Sequence, residues 1–446
     1  MSELSCDVVV VGLGPGGEAL VARLAAAGLD VVAVEKELVG GECPYWGCIP
    51  SKMLIRAANA LAEARRIDGL AGTASVTPDF GQVARRIREE ATDDWDDTVA
   101  ADRITAAGAR LVRGHGRLAG ERRVDVGADT HVAGKGVVLN TGTTPAVPPI
   151  PGLAETPFWT NREILEAKAA PASMIVIGGG AIGLELAQGM SRFGTEVTVL
   201  EVADRILAVE EPESSELVAG VFQAEGIGVH AGISIDAVAH DGDVFHVTCG
   251  SVTFEAERLL VAAGRRSRLD DIGLETVGVE AGRFLTVDDS MQAADGLWAI
   301  GDIVGRGAFT HVSMYQSERA ARSILGEELG EYDTSLPRVT FTDPEIGGVG
   351  LTEKQAREQG IEVRIGMTDL SASSRGFVHG PGNEGLLKLV IDAERDVIVG
   401  ANSAGPAGGE TLAALAFAVR AEIPIATLRN TIYAYPTFWR AIESAL

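Results

Sequence analysis

Cysteine, aromatic residues and long apolar runs are all scarce in this sequence. Four cysteines in 446 residues argue against a secreted fold held together by disulfides. No apolar run reaches the length that crosses a membrane, and Cys6–Val11 already has the pattern of a buried strand, so no cleavable leader is expected. We therefore expect a cytoplasmic protein with no membrane partner.

Basic residues are scarce as well. The chain has 38 Lys and Arg against 63 Asp and Glu, which gives a net charge of −25. Nucleic acid and anionic lipid both need a basic surface, so neither is expected as a partner. A solvated acidic surface that aids solubility is the simpler interpretation.

Two of the cysteines, Cys43 and Cys48, lie in one short run between a glycine pair and a Pro-Ser-Lys sequence. The segment Met53–Arg65 lacks Gly and Pro and has helical composition, and Pro50 suits its first turn. Cys48 would then lie near a helix N-terminus, where the helix dipole favours a thiolate. In a reducing cytoplasm such a pair is more often catalytic than structural.

An inert disulfide or half of a metal site are the alternatives for this pair. The seven histidines are scattered and none has ligand spacing to the cysteines, so we predict no metal. Cys6 and Cys249 lie in strand-like sequence and are expected to be inert core thiols.

A dinucleotide fingerprint begins at the end of the first strand. Cys6–Val11 leads into Gly12-x-Gly14-x-x-Gly17, then an Ala/Leu-rich helix to about Gly28 and a second strand closed by Glu35. The glycines let backbone amides approach a pyrophosphate at the helix N-terminus, and the acid can accept from a ribose hydroxyl. Strand, glycine loop, helix, strand and acid together are strong evidence of a dinucleotide site.

The same unit recurs later in the chain. Ser173–Ile177 is a predicted strand, followed by the glycine loop with Gly178, Gly180 and Gly183, a helix over Leu184–Phe193 and a strand that ends before Glu201. Glu35 follows Gly12 by 23 residues, and Glu201 follows Gly178 by the same interval. Chance would not repeat the whole unit at matched spacing, so we predict two dinucleotide sites.

The last part of the chain has a different pattern. Leu386–Ile391 and Asp396–Gly400 predict an antiparallel sheet, with helices near Leu351–Gln359 and Glu410–Ala421. Without a glycine fingerprint, an oligomerisation domain fits better than a third nucleotide site.

The fold class is therefore α/β, with two Rossmann-like dinucleotide-binding domains and a C-terminal α+β dimerisation domain. The predicted domains are residues 1–145 with 265–335, residues 146–264, and residues 336–446. Proline-rich Thr144–Gly152 and the segment Asp333–Pro337 are the expected linkers.

At this point the chain resembles the disulfide-containing pyridine nucleotide flavoenzymes, which include dihydrolipoamide dehydrogenase, glutathione reductase and mercuric reductase. The similarity runs through both fingerprints, the run Gly41-Glu42-Cys43 to Cys48-Ile49-Pro50-Ser51-Lys52, Gly301-Asp302 and Phe341–Ile346 to the tail. It implies that FAD binds the first unit, with Glu35 on its adenosine ribose and Asp302 at the flavin end. It also implies that a nicotinamide cofactor binds the second unit.

The resemblance also assigns roles around the cysteines. Cys48 would be the thiolate that faces the flavin, Cys43 the thiol that meets the substrate, and Lys52, paired with Glu185, a charge near flavin N5. An ordinary exposed ion pair is the alternative for Lys52 and Glu185. The remaining cofactor positions that it implies are Lys36, Gly41, Gly116, Thr141, Gly142, Gly264 and Thr310.

Glu201 favours NADH, because an acid at the ribose repels a 2′-phosphate. Arg205 lies close enough in sequence to leave NADPH open.

The C-terminal tail departs from the family pattern. Disulfide reductases of the family end in His-x-His-Pro-Thr-x-x-Glu, whose second histidine serves as acid/base in the partner subunit of a homodimer. Here Tyr435 takes the place of that histidine and Arg440 that of the glutamate. Tyrosine is a weak acid and base at neutral pH, so fast exchange with a disulfide substrate is doubtful. Simple packing at the dimer interface is the alternative role for Tyr435.

Two further departures bear on the substrate. The redox loop is filled by Pro44-Tyr45-Trp46, and the chain ends Glu443-Ser444-Ala445-Leu446, without the cysteine pair of mercuric reductases. The main hypothesis is an FAD-dependent NAD(P)H oxidoreductase that passes electrons through Cys43 and Cys48 to a small acceptor, a disulfide or another thiophilic substrate. The alternatives are an NAD(P)H:quinone or oxygen reductase that acts from the flavin and a low-turnover redox-sensing flavoprotein.

Overall fold

The structure is a computed structural model that describes residues 2–446. Its strands are β1 Ser2–Val11, β2 Val31–Glu35, β3 Arg110–Arg113, β4 Gly116–Leu118, β5 Arg123–Val126, β6 Asp129–Leu139, β7 Thr143–Pro145, β8 Ser173–Ile177, β9 Glu196–Leu200, β10 Gly228–His230, β11 Ala237–His240, β12 Phe245–Cys249, β13 Val252–Ala256, β14 Arg258–Val261, β15 Arg265–Ser267, β16 Gln292–Ala294, β17 Leu297–Ala299, β18 Arg338–Thr340, β19 Glu345–Gly350, β20 Val363–Asp369, β21 Leu386–Asp392 and β22 Val397–Gly405.

The α-helices are α1 Pro15–Ala26, α2 Glu42–Trp46, α3 Cys48–Arg65, α4 Phe80–Arg86, α5 Thr98–Ala106, α6 Asn161–Glu166, α7 Ala181–Arg192, α8 Pro212–Ala224, α9 Thr310–Leu325, α10 Glu353–Glu358, α11 Ser374–His379, α12 Gly408–Arg420, α13 Ile425–Arg429 and α14 Ala441–Ala445. Among residues 2–446, none of these helices has both the length and the apolar character needed to cross a bilayer.

The chain divides into two compact units, and the first comprises Met1–Pro50, Arg86–Ala146 and Arg265–Tyr332. Its main sheet has the order β16-β17-β6-β1-β2-β3, and β17, β6, β1, β2 and β3 run parallel. Residues 8–11, 31–34 and 137–139 in the centre of the sheet are apolar and buried, as expected when helices and loops cover both faces of a parallel sheet.

The second unit comprises Ser51–Arg85, Val147–Gly264 and Asp333–Leu446. It contains a parallel sheet of order β10-β9-β8-β14, a three-stranded antiparallel sheet of β11, β12 and β13, and a five-stranded antiparallel sheet of order β18-β19-β22-β21-β20. One apolar core lies around β8 and β14, and another lies under α12 and α14.

Buried ion pairs link parts of the second unit. Lys388 on β21 is 2% exposed, and its Nζ lies 3.0 Å from Glu211, 2.8 Å from Glu213 and 3.0 Å from Glu353. Because the two glutamates at 211 and 213 lie at the start of α8, this cluster fixes α8 to the C-terminal sheet.

The predicted α/β class is confirmed, and so are both strand–glycine loop–helix–strand units. β8 has its predicted bounds, and Cys48 is the first residue of α3, as the helix-terminus argument required. Several elements differ from their predicted bounds, and β22, for example, runs over Val397–Gly405 instead of ending at Gly400. β1 begins at Ser2, because its exposed first residues still pair with β6, and α7 begins directly after Gly180.

One strand of a two-stranded ribbon overlaps the start of the first predicted linker. β7 pairs antiparallel with β15 in the first unit. Three-residue strands show no alternation, so the sequence pattern could not indicate them. The three domain boundaries drawn from the sequence stay predictions.

Candidate active site

The first glycine loop joins β1 to α1. Gly12 has φ +94°, and a Cβ there would lie 2.3 Å from the Asn140 carbonyl oxygen, so the turn requires glycine. A Cβ on Gly17 would lie 2.2 Å from the Gly12 oxygen, so α1 could not pack this closely on the loop. Gly14 differs, because its Cβ would meet only the Asn140 side chain, at 3.5 Å.

The second loop repeats this geometry between β8 and α7. Gly178 has φ +114°, with a Cβ position 2.4 Å from the Ala262 oxygen, and a Cβ on Gly183 would lie 2.2 Å from the Gly178 oxygen. A Cβ on Gly180 would meet nothing within 4 Å. Protein packing therefore explains the outer glycines of each loop but not the middle ones.

The middle glycines fit a bound dinucleotide. Gly14 and Gly180 are the N-cap residues of α1 and α7, so they stand where helix amides and the helix dipole attract phosphate. Because these two glycines have no side chain, a pyrophosphate can approach the backbone there. The residues present fit FAD at the first loop and a nicotinamide dinucleotide at the second.

Glu35 ends β2 and holds the first loop. Its Oε2 accepts the Leu13 N–H at 2.7 Å and its Oε1 accepts the Glu37 N–H at 2.8 Å. Each carboxylate oxygen keeps a further lone pair, so a ribose hydroxyl can bind there as well.

Glu201 does the same in the second unit. Its Oε2 accepts the Gly179 N–H, and its Oε1 accepts the Ala203 N–H at 2.7 Å. In both units the acid therefore shapes the glycine loop in addition to facing the expected ribose. Only the 23-residue spacing in the sequence hints at these hydrogen bonds between the acid and the loop amides.

The two cysteines lie in two consecutive helices. Cys43 is in the short helix α2, Gly47 breaks the chain direction, and Cys48 begins the 18-residue helix α3. No disulfide joins the two cysteines in the structure, and their sulfurs hydrogen-bond to each other. Gly41, just before α2, packs on the first glycine loop, because its Cβ would lie 2.9 Å from the Gly14 Cα.

The two thiols have different surroundings. The hydrogen bond with the Cys48 sulfur raises the pKa of Cys43, and burial raises it further, although the Thr310 hydroxyl and the Cys48 N–H oppose this. Cys48 is exposed, and its Sγ lies 3.5 Å from Thr310 Oγ1. Cys43 therefore keeps its proton, while the start of α3 favours negative charge on Cys48.

The other two cysteines are buried, as expected of core thiols. Burial raises the pKa of Cys6 to about 11 and also raises that of Cys249.

Lys52 and Glu185 form a direct ion pair. Lys52 Nζ lies 2.7 Å from Glu185 Oε2, and the Glu185 side chain is 5% exposed. Glu185 Oε1 accepts the Phe341 N–H at 2.8 Å, and the Phe341 ring centroid lies 4.7 Å from Lys52 Nζ. The pair is thus held in a fixed position, unlike an ordinary exposed one. Sequence reasoning did not find Phe341, since only the fold brings it to this pair.

Asp302 lies at the end of a chain of hydrogen bonds that runs from Arg265 through Thr143. Burial raises its pKa, while the hydrogen bond from Thr143 and the charge of Arg265 oppose the shift. Thr143 Oγ1 donates to Asp302 at 2.8 Å, and Arg265 donates to Thr143 Oγ1 at 2.7 Å and lies 3.4 Å from Glu42. Thr143 and Arg265 were not predicted, because neither stands in a motif of its own.

The other implied cofactor positions are spread over the chain. Lys36 is exposed, the Thr141 hydroxyl donates to the Arg268 carbonyl at 3.0 Å, and Gly142 and Gly264 have φ +68° and +108°. Gly116 lies in β4, where an added Cβ would lie 3.0 Å from a valine of β1. Their part in cofactor binding stays a prediction.

The tail presents Tyr435 at the surface. Its side chain is 69% exposed, and the Arg440 guanidinium lies 5.8 Å from its ring centroid. Arg440 also donates to the Tyr433 carbonyl at 3.3 Å and pairs with Glu443 at 2.7 Å. Arg440 therefore organises the tail and offers no carboxylate, so the proton-transfer role of Tyr435 stays a prediction.

Two dinucleotide loops and a thiol pair at a helix N-terminus define an oxidoreductase that moves electrons between nucleotide cofactors and sulfur. The model of the pyridine nucleotide-disulphide oxidoreductase family matches residues 6–317, and that of the family's dimerisation domain matches residues 336–446. The chain belongs to this family. The family is FAD-dependent and uses NAD(P)H, and its dimerisation domain indicates a homodimer.

Similar proteins support this assignment. The chain is 35% identical to a dihydrolipoyl dehydrogenase from Chlorobaculum tepidum, over 98% of this chain and 96% of the relative. It is 32% identical to a mercuric reductase from Bacillus cereus, over 99% and 71%. Its structure resembles the HOCl-induced flavoprotein disulfide reductase RclA from Escherichia coli, with a TM-score of 0.86, 26% identity and coverage of 98% and 99%.

Proposed function

We propose that this chain uses NADH and FAD to reduce its Cys43–Cys48 pair, and that the pair then reduces a small thiophilic acceptor. The contact between the two sulfurs at the start of α3 carries this proposal. The pair lies in the same unit as the glycine loop that fits FAD.

The chain's own residues account for the sulfur chemistry. Bound FAD would take a hydride from the nicotinamide and supply an electron pair to the protein. That pair breaks the Cys43–Cys48 S–S bond and, with one proton taken up, leaves one thiol and one thiolate. The raised pKa keeps the proton on Cys43, and the α3 terminus stabilises the charge on Cys48.

The tail residue Tyr435, as well as the two cysteines, favours a thiophilic acceptor. Cys43 must lose its proton to attack an acceptor, and Tyr435 is a weak base at neutral pH. A soft metal ion binds thiolate strongly enough to displace that proton, whereas a disulfide substrate also needs a proton for its leaving thiolate. One relative is a mercuric reductase, and RclA also has a solved Cu(II) complex, at 25% identity and a TM-score of 0.87.

NADH is the expected electron donor because Arg205 is already engaged. Its guanidinium donates to the carbonyl oxygens of Leu207, Ala208 and Glu210 at 3.0, 2.9 and 2.8 Å. A guanidinium held by three backbone carbonyls is not free to bind a 2′-phosphate, and Glu201 repels one.

Counting thiols tests the proposal. Anaerobic NADH added to the oxidised holoenzyme should expose two additional alkylatable thiols per chain, whereas NADPH should do so only at higher concentration. Cys43→Ser and Cys48→Ser should each abolish the gain. The control Cys249→Ser, at a buried cysteine, should keep it.

The same variants separate the proposal from a reductase that acts from the flavin, which the Tyr435 and Arg440 tail favours. A Cys43→Ser, Cys48→Ser double variant should lose turnover with a thiophilic acceptor such as Hg(II). If it keeps full NADH turnover with a quinone, while the wild type gains no thiols, the quinone or oxygen reductase is the better account.

A further inference from the structure

A strained turn lies beside the redox loop in the first unit. Asp93, Asp94 and Trp95 have φ of 49°, 54° and 60°, so three consecutive residues other than glycine adopt left-handed backbone. L-residues rarely do this, and a bulky tryptophan least of all. Such strain persists only where surrounding contacts fix it, and it concentrates at functional sites.

Trp95 uses this turn to reach the loop between the two cysteines. Its indole Nε1–H donates to the Tyr45 carbonyl oxygen at 3.3 Å. Tyr45 lies in α2, and the last carbonyls of a helix have no partner inside it. The indole therefore caps the helix that carries Cys43, just before Gly47 turns the chain toward Cys48.

A second contact from the same segment holds the chain on the other side of Cys43. Asp97 Oδ2 accepts the Val39 N–H at 2.6 Å, and Arg113 fixes that carboxylate at 2.7 Å. The segment thus holds the redox loop at two points, one before and one after Cys43.

The Tyr45 side chain strengthens the contact at its own backbone. It is 5% exposed, and its ring packs where a Cβ on Gly40 would lie, 3.3 Å away. Because its side chain is buried, Tyr45 cannot shift to keep its hydrogen bond if Trp95 moves. The indole bond and the buried ring therefore hold the same residue together.

We propose that Trp95 is a positioning residue for the redox pair, which holds α2 so that the Cys43 sulfur stays against the Cys48 sulfur. This inference rests on the proposed function, because it concerns the redox equilibrium of that pair. Holding the two thiols together raises their effective concentration and favours closure of the S–S bond. Loss of the indole donor should make the disulfide easier to reduce.

The equilibrium can be measured in glutathione buffers. As the S–S bond forms, Cys43 and Cys48 give up two protons and two electrons, and one glutathione disulfide becomes two thiols. Trp95→Phe keeps a ring but removes the donor, so it should lower the equilibrium constant for disulfide formation by up to about tenfold, the most that loss of one hydrogen bond can contribute. The readout is acid-quenched alkylation of the FAD-loaded protein without nicotinamide.

Trp298→Phe is the matched control. Trp298 lies on β17 of the same unit, and its Nε1 donates to Ser323 Oγ on α9 at 3.0 Å. The inference predicts a shift for Trp95→Phe and none for Trp298→Phe. Equal shifts in both variants, or none in Trp95→Phe, would overturn it.

Failure of Trp95→Phe to fold and failure of the wild type to form a disulfide have different meanings. If Trp95→Phe does not fold, Trp95→Leu, which also removes the indole donor to the Tyr45 carbonyl, should shift the equilibrium in the same direction, and an unchanged value would count against the inference. If the wild type forms no disulfide in any buffer, the proposed function itself fails, which is a different result from an unchanged Trp95→Phe.

Discussion

At the scale of single residues, the proposal that Tyr435 limits which acceptor the thiol pair can serve can be tested directly. It is largely exposed, and its neighbour Arg440 is engaged with Tyr433 and Glu443. Arg440 stands where the family motif has the glutamate that supports the histidine, and it offers no carboxylate. Cys43, with its raised pKa, consequently has no assigned base.

Tyr435→His should restore disulfide reductase activity. A positioned imidazole with a pKa near 6.5 can remove the Cys43 proton and return it to a leaving thiolate, an effect of about 10²–10⁴-fold in well-built sites. Because the supporting glutamate is also absent, we expect a gain of about tenfold in turnover with lipoamide or glutathione disulfide. The gain should diminish below about pH 6, where the imidazole is protonated.

Tyr435→Phe is the control for this change. It removes the hydroxyl without adding a base, so it should show no gain with disulfides. An equal gain in both variants would indicate that the tyrosine blocks access, and a histidine variant without any gain would mean that the tail is not near the thiols.

Several roles at this scale could not be predicted from sequence. Arg205 is near Glu201 in sequence, but only the structure shows that its guanidinium is bound to backbone carbonyls. Arg265 and Glu42 meet across more than two hundred residues. Motif spacing identifies backbone turns well, because glycine has a distinct conformational range, whereas a side chain's partner depends on the whole fold.

At the scale of elements, the two glycine loops are near-duplicates, and this allows a matched test. The third glycine of each loop has a Cβ position 2.2 Å from the first glycine's carbonyl oxygen. Alanine there forces the helix away from the loop and from any phosphate bound at its terminus.

Gly183→Ala should therefore abolish NADH-dependent thiol formation while FAD stays bound. Gly17→Ala should instead yield protein without flavin. Flavin absorbance and the thiol count distinguish the two. Gly220→Ala is the control, since Gly220 lies inside α8 with nothing within 4 Å of its Cβ position, and alanine there should add about 0.5–1 kcal/mol of stability. Loss of flavin from both loop variants would contradict the assignment of two separate sites.

Sequence reasoning succeeded for elements that have a period or a fingerprint. β8, α3 and both glycine loops follow from apolar runs, helical composition and spacing. The turn at Asp93–Trp95 and the β7–β15 ribbon were not predicted, because neither has a compositional signal and both depend on contacts from distant parts of the chain.

At the scale of the whole molecule, the Lys388 cluster is a polar link within the second unit. Lys388→Met should destabilise the protein by about 3–5 kcal/mol, because Glu211 and Glu213 would lose the Lys388 cation and Glu353 would keep only its pair with Arg357. Urea unfolding measures the loss. Lys354→Met is the control, since Lys354 is 84% exposed and 3.9 Å from Glu358, and it should change stability by less than about 0.5 kcal/mol.

The pH dependence of the stability difference between Lys388→Met and the wild type follows from the pKa shifts of Lys388 and Glu353. Burial lowers the pKa of Lys388, but hydrogen bonds to the three glutamates outweigh it and raise the pKa above 10.5. Its stabilisation is therefore complete below pH 10.5 and is lost only as the pH rises through the raised value. Hydrogen bonds from Lys388 and Arg357 lower the pKa of Glu353 below 4.5, so its contribution is lost as the pH falls through that lowered value. A difference between Lys388→Met and wild type that declined between pH 6 and 9 would contradict this account.

The homodimer is the largest-scale feature that bears on function. Large apolar side chains are exposed on residues 336–446, with Phe377 84%, Phe417 73% and Ile432 93% exposed, in the segment that matches the dimerisation domain. We expect these residues in the dimer interface, where a two-fold axis would bury each of them twice, so Phe377→Asp should weaken association at least about 100-fold, as sedimentation velocity would show. Val202→Asp, at a residue 79% exposed outside that segment, should leave the dimer intact.

The dimer variant also separates the two halves of the proposed reaction. Thiol formation with NADH uses sites that the resemblance places in one chain, so monomeric Phe377→Asp should still gain two thiols. Turnover with a thiophilic acceptor should fall in proportion to the dimer fraction, because the resemblance places the tail of the partner subunit at Cys43. Full acceptor turnover in a proven monomer would mean that Tyr435 takes no part in the reaction, and that Cys43 meets its acceptor using one chain alone.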